Sequence, residues 1–199
     1  MRQGALAIVF VLLLSSCQTS NTGNTGNTGK IYDRGETHKI SVEIPARAPS
    51  IGSDYSASSE YLGRKRSGPH VGIDILAPVG YPVLAAADGE VIESKYESRI
   101  GREGFFVVIQ HENGLGTSYS HMAKTNVDIG QMVKRGDQIG DVGTTGLDHL
   151  HFMVLLFRRH TNPHSYWLGG EGKIVCFDKS LNQKGNDDFI FTYPVPCHD

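Results

Sequence analysis

Two short stretches of this chain carry metal-binding side chains at telling intervals: His70 and Asp74 at i and i+4, and His149 and His151 at i and i+2. Side chains on an extended strand alternate between faces, so both spacings put their members on one face. Two strands so equipped would converge two imidazoles and one carboxylate on a single point. Such nitrogen and oxygen donors suit zinc, whose catalytic sites hold three protein ligands and keep one position for water. The ion retains positive charge in that donor set, which brings the ionisation of its water close to neutral pH. A His-x-x-x-Asp pair alone is weak evidence. With a His-x-His on an apolar strand, and Gly72 allowing close approach beside the first pair, the combination is far more specific.

The elements that must position these residues read as β from Val71 to Leu156. Ile73–Ile75 is a short strand stopped at Ala77-Pro78-Val79-Gly80. Pro82–Ala86 and Gly89–Ile92 flank Asp88-Gly89, a hairpin cue. Phe105–Gln110 and Leu115–His121 flank Asn113-Gly114 and are expected to pair antiparallel. Alternation along the second of these puts Thr117, Tyr119 and His121 on one face. Glycines at 130, 136, 140 and 143 punctuate short strands, and His149–Leu156 is the last core strand. No segment has a helical period. Before this region, Ile40–Ile44 alternates like an edge strand closed by Pro45, and residues 51–69 read as a loop leading to the site.

The chain of 199 residues holds one domain with appendages, and its net charge of −2 gives no basic footprint for nucleic acid. Met1-Arg2 and the apolar run Ala5–Leu14 are too short to span a bilayer comfortably and read as an export signal. The run ends in Leu14-Ser15-Ser16-Cys17, which resembles the bacterial lipoprotein cleavage box. Residues 1–16 are then the signal peptide, and Cys17 is the lipidated residue. Asn-Thr-Gly occurs three times in residues 18–29, making 17–29 a lipid-bearing flexible tether. Residues 30–69 form an N-terminal extension and loop, 70–157 the core, and 158–199 an extension packed on it. Removing Cys17 leaves Cys176 and Cys197, an even pair in an exported chain. A disulfide is expected, with two separate buried thiols as the other reading.

The motifs His70-x-Gly72-x-Asp74, Pro78-x-Gly80-x-Pro82-Val83-x-Ala85, Asp88-Gly89-x-Val91, Tyr119-x-His121-Met122, Gly130-x-x-Val133-x-x-Gly136-x-x-Ile139-Gly140 and His149-Leu-His151-Phe152 occur in that order. Residues 70–157 thereby resemble the lysostaphin-type (LytM-like) zinc metallopeptidases, which cut peptide cross-links of bacterial peptidoglycan. The resemblance implies a mostly β domain of twisted antiparallel sheets, of the duplicated hybrid motif type, with little helix. It implies one Zn2+ ion held by His70, Asp74 and His151, with His121 and His149 as catalytic histidines. It implies stem or cross-bridge peptides of peptidoglycan as partners. With Cys17, it implies a membrane-anchored protein of the envelope, on the periplasmic face of the outer membrane in a Gram-negative cell.

Two departures from the family pattern bear on the groove. Gly143–Asp148 is shorter than the usual segment before the His-x-His, and Met153 stands where a Glu is common. By alternation Met153 shares the face of His151. An alternative of another class is therefore an envelope-anchored regulator of other wall hydrolases, with little catalysis of its own. Val133-Lys-Arg-Gly136 has the punctuation of lipoyl and biotinyl carriers, but Lys134 lacks their setting and a carrier leaves the His and Asp pairs unexplained. His38, His160, His164 and His198 have surface or structural roles, and His111 supports the Asn113-Gly114 hairpin. Arg64-Lys65-Arg66 and Arg158-Arg159 read as solvated surface charge.

Overall fold

The computed structural model describes residues 40–57, 60–61, 64–65, 68–99, 101–186 and 188–198. The expected signal peptide, Cys17 and the Asn-Thr-Gly repeat lie outside these residues, as does His38. The strands are β1 (Ile51–Ser53), β2 (Glu60–Tyr61), β3 (Arg64–Lys65), β4 (Ile73–Leu76), β5 (Pro82–Leu84), β6 (Gly89–Glu97), β7 (Gly104–Gln110), β8 (Leu115–Thr125), β9 (Met132–Val133), β10 (Gln138–Thr144), β11 (Asp148–Leu156) and β12 (Arg159–Thr161). The main sheet runs β1-β4-β11-β10-β8-β7-β6-β9, with β5 on β10, β12 on β11 and a further pairing of β11 with β8. β2 and β3 form a separate ribbon. Among the described residues helix is confined to two 3-10 turns, Glu112–Gly114 and Pro163–Ser165. The mostly β, antiparallel expectation holds.

Alternation decides which residues meet. On β8 and β11, Thr117 pairs with Val154 and Tyr119 with Phe152, and all four are buried in the core. Ser118 opposite Met153 and Ser120 opposite His151 point to the other face. The β7–β8 connection is the expected hairpin, with Asn113 (φ 59) and Gly114 (φ 73) both left-handed. Trp167 is fully buried and stacks on Phe152 with ring centroids 5.9 Å apart. Truncating an aromatic buried so completely costs about 3–5 kcal/mol, so residues beyond β12 contribute to the same core. A disulfide joins Cys176 to Cys197.

Three local expectations are corrected. Asp88-Gly89 does not close a hairpin, because β5 pairs with β10 while β6 pairs with β7 and β9. Asp88 instead accepts the Arg135 N–H at 2.9 Å and the Lys134 ammonium at 2.8 Å, which docks its turn onto the Lys134 turn. Ile40–Ile44 is no strand: it makes one bridge, Glu43 to Lys173, and Pro45 has no N–H to extend it. Residues 51–69 are not all loop, since β1 pairs with β4 at the edge of the main sheet.

His111 supports more than its own hairpin. Its Nδ1 is 2.7 Å from the Asp88 carbonyl and its Nε2 is 2.8 Å from Thr117 Oγ1, so it ties the end of β7 to the Asp88 turn. Burial is the main cause that lowers its pKa from the usual 6.5 to about 4, with repulsion by Arg135 adding to it. The folded protein thus keeps this imidazole neutral where the unfolded chain protonates it. The stabilisation is complete above pH 6.5 and is lost as pH falls toward 4. At 1.36 kcal/mol per pKa unit, roughly 2 kcal/mol should be gone by pH 5. Melting temperatures at pH 7.5 and pH 5 should therefore fall further for the wild type than for His111→Gln; equal drops contradict the assignment.

Candidate active site

β4 and β11 lie side by side in antiparallel register, with Asp74 directly opposite His151. Directly opposed residues share a face, so the carboxylate and imidazole meet on the side away from Phe152. Gly72 lets the two segments approach. A Cβ there would lie 2.4 Å from the Phe152 carbonyl oxygen, 2.7 Å from Met153 Cγ and 3.0 Å from His151 Cε1. Because the carbonyl belongs to the sheet backbone, Gly72→Ala must push the two segments apart. A loss of about 1–3 kcal/mol is expected from such overpacking, read as a lower melting temperature together with weaker zinc retention. A variant matching the wild type in both removes this role for Gly72.

His70 reaches the same point by a different route. It precedes β4 and is not in a strand, so alternation does not explain its placement. Its backbone is bonded to the turn at 54–57: Ser56 N–H donates to the His70 carbonyl at 2.8 Å, and His70 N–H to the Ala57 carbonyl at 3.3 Å. Its Nδ1 is 2.9 Å from the Asp54 carbonyl oxygen. A carbonyl only accepts, so Nδ1 carries the proton and Nε2 offers its lone pair to the cluster.

Three donor atoms converge. His70 Nε2 lies 3.1 Å from Asp74 Oδ1 and 3.0 Å from His151 Nδ1, and Asp74 Oδ1 is 2.8 Å from His151 Nδ1. A tetrahedral zinc with ligands at about 2.0–2.2 Å separates its ligand atoms by roughly 3.3 Å, so this triangle fits the ion with small adjustment. The donor chemistry fits as well. Burial favours the neutral Asp74 carboxyl, yet the surrounding imidazoles of His151 and His70 hold it well below the usual carboxylate range. Burial also lowers His151 despite its contact with Asp74, leaving the neutral imidazole that a metal requires.

His149 and His121 stand beside this set. His149 Nε2 is 3.7 Å from Asp74 Oδ1, outside hydrogen-bond range, while its Nδ1 donates to the Leu147 carbonyl at 2.8 Å. His121 Nδ1 donates to the Glu103 carbonyl at 3.2 Å. In the neutral ring this leaves a lone pair on Nε2. The His121 ring centroid is 4.9 Å from that of His149 and 5.8 Å from that of His151. Burial, reinforced by the two neighbouring imidazoles, lowers its pKa to about 4, so His121 is neutral at physiological pH.

His121 does not share a face with Tyr119, contrary to simple alternation. Tyr119 and Met122 both enter the core, and Ser120 and His121 between them form a bulge where the β7–β8 register shifts. His121 is left-handed at φ 62, which turns its ring toward His149 and His151. Bulges re-aim side chains in this way. Gly143 makes room for it, since a Cβ there would be 2.5 Å from the His121 carbonyl oxygen. Thr117 remains with Tyr119, their oxygens 2.9 Å apart, below the sheet.

Met153 lies beside His151 as expected and borders a cavity of about 180 Å³ shared with Ile92, Val108, Leu155 and Arg158. Two residues that no motif marked also enter the surroundings: Asp54, through its carbonyl, and His164, buried and hydrogen-bonded to Asp54. Lys134, the residue a carrier would modify, is instead paired with Asp88.

Two central strands and a preceding loop of this antiparallel β domain thus gather two imidazoles and a carboxylate that could hold a metal ion, with two further histidines alongside. Residues 68–163 match the model of peptidase family M23. The chain is 37% identical over 124 residues to the peptidoglycan DD-endopeptidase ShyC of Vibrio cholerae, covering 61% of this chain and 26% of that protein. Among solved structures, a zinc containing peptidase from Vibrio cholerae superposes with a TM-score of 0.51 at 32% identity, over 62% of this chain and 38% of that one. The catalytic domain of the antimicrobial peptidase lysostaphin from Staphylococcus simulans gives a TM-score of 0.50 at 27% identity, over 58% of this chain and 89% of that one. The chain spans about a quarter of the length of the curated relatives it matches.

Proposed function

We propose that this protein is a zinc-dependent endopeptidase hydrolysing peptide cross-links of bacterial peptidoglycan, with one ion held by His70, Asp74 and His151. The observation that carries this reading is the convergence of His70 Nε2, Asp74 Oδ1 and His151 Nδ1, with His121 and His149 beside them but outside the set. The match to peptidase family M23 and the relatives named as peptidoglycan endopeptidases support the substrate class. Zinc bound there would supply a Lewis acid for the scissile carbonyl and for the attacking water.

The chain's own residues account for the rest of the chemistry. His121 and His149 each have Nδ1–H committed to a backbone carbonyl, so each ring is held in one tautomer. Their Nε2 atoms are the proton acceptors these rings offer beside the cluster. One takes the proton of the attacking water, stabilises the oxyanion as the imidazolium so formed and returns that proton to the leaving amine, while the other accepts a hydrogen bond that orients the water.

The test is incubation of soluble residues 18–199 with purified peptidoglycan, with and without chelator, and identification of new termini by mass spectrometry. Chelator-sensitive new amine and carboxyl termini are expected. Absence of zinc from the purified protein sinks the enzyme reading. Bound zinc without cleavage favours the regulator of other hydrolases, the reading that Met153 at the place of a carboxylate keeps in play. Lipid on Cys17 would hold the protein in the envelope, at the periplasmic face of the outer membrane in a Gram-negative host. Cys17→Ser should then shift it from the membrane to the soluble fraction on ultracentrifugation; an unchanged distribution removes the anchor.

A further inference from the structure

The proposed ligand His70 is oriented by the carbonyl of Asp54, and Asp54 is in turn gripped from the far end of the domain. His164 Nε2 lies 2.7 Å from Asp54 Oδ1. That same oxygen accepts the Tyr55 N–H at 2.7 Å, so the carboxylate fixes its own turn as well. His164 is 2% exposed, although the Asp54 carboxylate is half open to solvent. Its backbone N–H is capped by Asn162 Oδ1 at 3.0 Å. The Trp167 indole donates to His164 Nδ1 at 2.9 Å.

The hydrogen-bond directions in this chain allow one arrangement. An indole N–H can only donate, so His164 Nδ1 is an acceptor and Nε2 carries the proton that meets Asp54. The Asp54 carbonyl can only accept, so His70 Nδ1 carries a proton and Nε2 is left bare. Trp167 is itself immobilised against Phe152, the neighbour of His151 in β11. Ser56, held left-handed at φ 58, closes the turn by donating to the His70 carbonyl. The loop that precedes β4 is thus referenced to the same aromatic core that sets the position of His151.

We propose that Asp54 and His164 are positioning residues for His70, locking the tautomer and ring orientation that present its Nε2 to the metal. This rests on the reading of His70 as a zinc ligand. A link between residues 54 and 164 that served only to fasten the C-terminal segment would affect stability and leave the metal alone. A positioning link affects the metal in protein that remains folded. Outer partners of ligating histidines typically govern metal affinity by about 10–100-fold.

Zinc affinity is measured by competition with a chromophoric chelator on the full soluble chain, and the visible spectrum is recorded on the cobalt-substituted protein. His164→Ala is expected to weaken zinc about 10–100-fold and to alter the cobalt bands. His164→Gln should recover most of the affinity, because an amide oxygen can accept from Trp167 while its NH2 donates to Asp54. The exposed His160→Ala should match the wild type. Folded His164→Ala with wild-type affinity and cobalt spectrum overturns the proposal, and so does failure of His164→Gln to improve on it. Should His164→Ala not fold, the ring 15N shifts of metal-free wild type decide: protonated Nδ1 on His70 and protonated Nε2 on His164 support the proposal, and the opposite tautomers overturn it. If the wild type binds no zinc, the enzyme reading fails, whereas these tautomers are still read without metal.

Discussion

Asp74→Asn is expected to cost the protein its zinc. The carboxylate lies between three imidazoles, 2.8 Å from His151 Nδ1, 3.1 Å from His70 Nε2 and 3.7 Å from His149 Nε2. It is 2% exposed, so its charge is screened little by water. Within the ligand set it is the sole anion, the other two members being neutral imidazoles. Asparagine keeps the shape and the acceptor oxygen but leaves a doubly charged ion facing neutral ligands in a dry site, a large electrostatic cost. Even changes to outer partners of a ligand lower affinity by about 10–100-fold, so losing the charged ligand should exceed that range. Metal content by mass spectrometry should fall below stoichiometric detection after dialysis, and peptidoglycan hydrolysis should fall with it. Circular dichroism of the metal-free variant separates this from unfolding. Stoichiometric zinc with near-wild-type hydrolysis would falsify the ligand role.

His121→Ala should separate binding from chemistry. The side chain sits outside the donor triangle, its ring 5.8 Å from that of His151, so zinc should remain bound. Its Nε2 is free to handle a proton because Nδ1 is committed to the Glu103 carbonyl. Removing a well-placed general base costs about 10²–10⁴-fold in rate, and that fall in kcat at unchanged zinc content is the expected result. His149→Ala should behave alike, since Leu147 holds its Nδ1 in the same manner. The double variant should lose far less than the product of the two single losses, because groups acting in one step are not additive. If His121→Ala turns over normally while His149→Ala does not, the proton work belongs to His149 alone.

Where the chemistry could be read from spacing, a local period was responsible. His149-x-His151 lies on a true strand, so alternation does put both rings on one face. Asn113-Gly114 makes its hairpin because both residues tolerate the left-handed backbone the turn demands. His70 and Asp74 also meet, but for a reason other than the strand alternation that suggested it: His70 is held by the turn at 54–57. Asp88-Gly89 carried an equally good hairpin cue and failed, because Lys134 and Arg135 captured the Asp88 carboxylate from 46 and 47 residues away.

The sequence by itself therefore marked the residues proposed to carry metal chemistry, and determined the β class of the fold and the face that His149 and His151 share. These follow from residue type and from a two-residue period acting over a few positions. Tertiary structure alone decided that His121 turns out of the Tyr119 face through a bulge that Gly143 accommodates. It also decided that His164 reaches Asp54 across 110 residues. A bulge shifts the period by one residue at a place set by the neighbouring strands, and a long-range hydrogen bond exists only once the sheet has closed. Neither is written in any local spacing, because the atoms that impose them are distant in the chain and adjacent only in the fold.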